Sequence, residues 1–120
     1  SSNESSKEEL KNIIKSLFTN KKYTVDFSGD YPGWQPNMNS EILSKLVEVY
    51  KDLNNTNPNV AACHAGLECG IIGSHYPNLD MISFGPTIRG AHSPDERASI
   101  KSTIKFWEFL KEVLLKIPLK

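Results

Sequence analysis

Leu10, Ile13, Ile14, Leu17 and Phe18 recur at intervals of three and four behind Ser6 and Glu9, which are spaced as a capping box. That pattern predicts an amphipathic first helix with its lysine and glutamate face in water. From residue 22 to 28 the period shortens to two, with Tyr23, Val25 and Phe27 on one face and Thr24 and Asp26 on the other, as in a half-buried strand. Gly29, Pro32, Gly33 and Pro36 then forbid regular structure over 29–36, the best candidate for a domain boundary. Asn39 or Ser40 can cap a helix that carries Ile42, Leu43, Leu46, Val49, Tyr50 and Leu53 and ends in the polar cluster 54–59. Residues 60–63 and 79–84 read as short buried strands, and 66–72 as a glycine-flanked turn leading into a short helix.

Ser93, Pro94 and Glu96 have the types and spacing of an N-cap, a first helical residue and its capping-box partner. They predict a long helix from Pro94 to about Ile117, carrying Ile100, Ile104, Trp107, Val113 and Leu114, widened by Phe106, Phe109 and Leu110 and stopped by Pro118. The alternation of helix and strand predicts an α/β fold. Strands that are apolar throughout, such as 60–63, predict parallel neighbours buried on both sides, so the sheet is expected to be mostly parallel with helices packed on it.

A chain of 120 residues is long enough for one domain and too short for two ordinary ones, so one core is expected. Lysine plus arginine balance aspartate plus glutamate, which removes the basic footprint of a nucleic-acid binder and favours a small molecule or a second copy as partner. No apolar run approaches the length that crosses a bilayer. Cys63 and Cys69 are too few for a disulfide scaffold, so a reducing, cytoplasmic setting is expected, with Cys63 buried and structural.

His92 has the type and setting of a metal ligand, an imidazole on a glycine-bearing loop beyond a strand end. The other reading is a polar residue beside a helix start. In the turn His64-Ala65-Gly66-Leu67-Glu68, Gly66 lets backbone approach a ligand, the following helix start offers N–H groups to an anion, and Glu68 could accept from a cation. Glu68 is also what a first helical turn favours. Arg89 could hold a carboxylate in two parallel hydrogen bonds, or serve as a surface arginine. A Cys63–His92 dyad would define a cysteine hydrolase, but nothing in the sequence lowers the thiol pKa that such chemistry needs. His75, beside Tyr76-Pro77-Asn78, is expected to face solvent.

Three stretches, Gly29-Asp30-Tyr31-Pro32-Gly33-Trp34, His64 to Gly70, and Met81 to Arg97 with its Gly90-Ala91-His92-Ser93-Pro94-Asp95-Glu96, occur in one order along the chain. With them the chain resembles the C-terminal part of the aminoacyl-histidine (Xaa-His) dipeptidases, dinuclear zinc peptidases related to carnosinases and tripeptidases. The resemblance implies that His92 is a zinc ligand and that the turn with His64, Gly66 and Glu68 lines the substrate pocket, where Arg89 is expected to help position the substrate. It implies two zinc ions per parent site, with other divalent metals able to replace them, a dipeptide substrate, and a homodimer formed through a lid domain. Residues 1–33 would be the last helix and strand of that lid, and 34–120 the end of the zinc-peptidase catalytic domain. The remaining metal ligands, the bridging carboxylate and the general-base glutamate of the family have no counterpart here.

The expected function is therefore that of a piece of a metal-dependent dipeptidase, inactive by itself and with uncovered apolar faces and sheet edges. A self-contained ligand-binding or oligomerisation module without catalysis is the other reading. Neither nucleic acid nor membrane is expected as a partner.

Overall fold

Asn3 starts the first helix: its side-chain carbonyl accepts the Ser6 N–H at 3.3 Å, and its backbone carbonyl accepts the Lys7 N–H at 3.2 Å. The computed structural model describes residues 3–18, 22–63 and 68–117. Its elements are α1 (Glu4–Phe18), α2 (Glu41–Asn54), α3 (Glu68–His75), β1 (Ile88–Arg89), β2 (Arg97–Ala98) and α4 (Ile100–Lys116). They fall into two units, Ser1–Met38 with Ala61–Leu79, and Asn39–Val60 with Asp80–Lys120.

In the first unit α1 begins one turn before the predicted Ser6–Glu9 box, because Asn3 fills the capping role instead. No residue of α1 is buried. Its Lys7 and Lys11, half-buried and one turn apart, both reach Asp30, at 2.9 and 3.0 Å. These two ammonium groups hold the Asp30 carboxyl at about 2, below its usual 3.8. Glu4 accepts the Gly33 N–H, and that bond, with help from Lys7, lowers its pKa as well. The loop 30–33 is thereby fastened to the start of α1. It also meets α3, where Gly70 is buried and a Cβ would overlap the Pro32 carbonyl.

The second unit is built on α2 and α4. Ser40 caps α2 in extended conformation, its hydroxyl accepting the Leu43 N–H at 3.0 Å and donating to Asp80 at 3.0 Å. The same Asp80 oxygen accepts the Ile42 N–H at 3.1 Å, so a carboxylate sits on the positive end of the helix. Asn55, in left-handed conformation, ends α2 by donating its N–H to the Lys51 carbonyl at 2.8 Å. Leu46 and Val49 of α2 pack with Val113 of α4, and Ile82 and Phe109 close over them. Phe109 stands edge-on to Tyr50 and to Phe84, with ring centroids 5.6 and 5.5 Å apart. Lys116 ties α4 to α2 through Asp52 at 2.8 Å.

The expected parallel sheet is not formed among the described residues, where the only ladder is the antiparallel β1–β2 pair, Ile88 opposite Ala98 and Arg89 opposite Arg97. Residues 22–28, 60–63 and 79–84 run without helix or ladder. A strand exists only beside another, and these segments find no neighbour among the described residues. Ile82 and Phe84 nevertheless keep the period of two and pack on the helices. Cys63, on unpaired backbone, is exposed rather than buried.

The last helix also departs from expectation. It starts at Ile100, capped by Ser99, whose hydroxyl accepts the Ser102 N–H at 3.3 Å. Ser93 and Glu96 belong instead to the loop between β1 and β2, because pairing of Arg97 and Ala98 with β1 requires extended backbone where the predicted helix would have its first turn.

Candidate functional site

The loop 90–96 presents His92. Gly90 turns the chain out of β1 with φ +64°, a left-handed conformation natural to glycine. The Ser93 N–H donates to the Gly90 carbonyl at 3.1 Å and the Ser93 hydroxyl to the same oxygen at 2.7 Å, closing a tight turn. His92 itself is left-handed, with φ 63°, a conformation that costs an L-residue about 1–2 kcal/mol. It is held there because its N–H donates to the Glu96 carboxylate at 2.7 Å, while the Glu96 N–H donates to the Ser93 carbonyl at 3.0 Å. The predicted reach of Glu96 back toward the loop thus exists, with His92 as its donor in place of Ser93.

The His92 side chain is exposed, and no described residue pairs with either ring nitrogen. The base of the hairpin is fixed to α4: the Thr87 N–H donates to the Ser102 hydroxyl at 2.9 Å and the Ser99 N–H to the Thr87 carbonyl at 3.0 Å. A rigid base under a strained, exposed histidine is a good platform for a ligand to be gripped from outside.

Of the other expected site residues, Arg89 is exposed at the end of β1 on this same hairpin. Glu68 is exposed in the first turn of α3, in the other unit. His64 and Gly66 lie outside the described residues, as does most of the turn that carries them. His75 is the exposed last residue of α3. Sequence reasoning passed over Arg97, which the ladder sets directly opposite Arg89. Its signal was there, since the two arginines flank the glycine-bearing loop at equal distance from its centre.

No family model matches the chain. The chain is 48% identical over 96 residues to the cytosol non-specific dipeptidase of Escherichia coli (strain K12), a match spanning 80% of this chain and 20% of that protein. The crystal structure of aminoacylhistidine dipeptidase from Vibrio alginolyticus matches with a TM-score of 0.81 and 39% identity, over 100% of this chain and 24% of that one. This chain is similar to part of each of these two dipeptidases. It spans about a fifth to a quarter of the length of these dipeptidase relatives, which are hydrolases of peptide bonds. The likeness, with helices and a small sheet in the described residues, fits part of an α/β peptidase. One relative is named as cytosolic, and no helix among the described residues is long and apolar enough to cross a membrane.

The donor set decides how far a metal can be placed. A catalytic zinc takes about three protein ligands. Among the described residues no three of His, Cys, Asp and Glu converge on a point, so they do not make a metal centre by themselves.

Proposed function

We propose that these 120 residues work as part of a metal-dependent dipeptidase, to which His92 contributes one imidazole ligand for a divalent metal, zinc in the first instance. Arg89, Glu68, His64 and Gly66 face the dipeptide in this reading. Residues 1–33 belong to a lid that pairs two subunits, and 34–120 to the catalytic domain, in a cytoplasmic enzyme. The observation that carries the proposal is the 48% identity to a dipeptidase across most of the chain. The open ring of His92, held on its strained turn, supports the ligand role. The remaining ligands are assigned to polypeptide beyond these residues, so the isolated chain is expected to hydrolyse no dipeptide.

The test is a chimera in which this chain replaces the matching segment of the Escherichia coli dipeptidase, made with and without His92→Ala. The parent chimera is expected to bind metal and cleave dipeptides, and the variant to lose activity by about 100-fold or more together with bound metal. A folded His92→Ala chimera that keeps both would refute the ligand role, and hydrolysis by the isolated 120 residues would refute the division of the site.

A further inference from the structure

The chain contains two arginines, Arg89 and Arg97, and the β1–β2 register sets them opposite each other. Directly opposed residues of an antiparallel pair share a face with Cβ atoms about 5 Å apart, and like charges placed so are destabilising. Neither guanidinium has a carboxylate partner among the described residues, whose ion pairs are all made by lysines. The neighbouring acids do not relieve the repulsion: the Glu96 carboxylate accepts from the His92 backbone, and Arg97 Nη1 donates to the backbone carbonyl of Asp95 at 3.2 Å.

Both arginines line a cleft of about 380 Å3 together with Thr87, Ala98 and Ser99. Among the described residues no acidic side chain borders it. Each guanidinium carries five N–H donors in a planar fork, and Arg97 commits one to Asp95. Ser99 accepts the Ser102 N–H and keeps its own hydroxyl proton to donate. The positive end of α4 begins at the next residue.

We propose that the Arg89–Arg97 cleft binds a small dianionic oxyanion of the phosphate class, bridged between the two guanidinium groups. Two adjacent positive charges call for two negative ones, which separates a phosphate or phosphomonoester from a single carboxylate. The bound anion turns the cross-strand repulsion into a clamp on the base of the His92 loop. The site shares Arg89 with the dipeptide-facing residues proposed above but needs neither metal nor peptide, so the phosphate titration succeeds or fails apart from that reading.

Titration of the 15N-labelled chain, followed at the two arginine Nε–H signals, tests this with inorganic phosphate, phenyl phosphate, acetate and chloride at constant ionic strength. Phosphate is expected to shift both signals saturably, with acetate at least tenfold weaker. Comparable binding of phenyl phosphate assigns the site to phosphoryl groups in general, and preference for inorganic phosphate assigns it to the free ion. Arg89→Gln and Arg97→Gln should each weaken phosphate by at least tenfold, and each should melt higher than the parent in phosphate-free buffer because the repulsion is gone. The lysine variants, which keep the charge without the fork, should fall between. Unsaturable shifts equal for phosphate and chloride, or unchanged affinity in either glutamine variant, would overturn the proposal.

Discussion

Gly90→Ala isolates the turn on which the His92 loop depends. An alanine there must hold φ near +64°, which costs about 1–2 kcal/mol. Its Cβ would also stand 3.0 Å from the Ser93 hydroxyl and 3.2 Å from the Asp95 carbonyl. The hydroxyl has little room to yield, because it donates to the Gly90 carbonyl at 2.7 Å and accepts the Asp95 N–H at 3.3 Å. Giving up one such bond costs about 1 kcal/mol, so the substitution is expected to destabilise the hairpin by about 2–3 kcal/mol. Gly85→Ala supplies the internal comparison: nothing lies within 4 Å of its Cβ, and its φ is not in the left-handed range. That change should be neutral or stabilise by about 0.4–1 kcal/mol through the unfolded chain. Urea unfolding reads the global effect, and hydrogen exchange at the His92 amide, which donates to Glu96, reads local opening of the loop. Equal urea midpoints for the two variants, together with unchanged His92 exchange, would refute the account of the turn.

Val49 is fully buried between α2, α4 and Ile82, so Val49→Ala should cost about 2 kcal/mol in urea unfolding, whereas Leu115→Ala, at a position 78% exposed, should stay within about 0.5 kcal/mol. Similar losses for the two would show that the core is misplaced. Asp30 is held near 2 against an ordinary 3.8, so its contribution is complete above pH 4 and fades as pH falls from about 3.8 to about 2. Acid unfolding followed by the helix signal should therefore be shallower across that window for Asp30→Asn than for the parent, and superimposable curves would count against the Lys7–Asp30–Lys11 clasp.

Features settled within a few residues were legible in the chain. Ser40 capping α2, the apolar stripe from Leu43 to Val49 and the stop at the asparagine cluster need only local backbone and helical spacing. The start of α4 was not legible, because Ser93-Pro94-Asp95-Glu96 satisfies the local grammar of a cap while the pairing of Arg97 with Arg89 draws the backbone into a hairpin. Local grammar lost to a partner eight residues away. The period of two at 22–28 and the apolar run at 79–84 marked extended segments, and Ile82 and Phe84 do pack on one helical pair, but neither pattern carries information about which strand will lie alongside. For the site, His92 and Arg89 could be singled out by residue type, whereas the left-handed turn under His92 and the role of Arg97 are properties of the folded hairpin.

The apolar centre of the α2–α4 unit consists of Leu46, Val49 and Val113, with most other large apolar side chains of the described residues still wet. Because the heat-capacity increment of unfolding tracks the apolar surface newly hydrated, this chain should fall below the usual 12–15 cal/mol/K per residue or so. Its calorimetric endotherm should accordingly be low and wide, and its stability should change little between cold and ambient temperature.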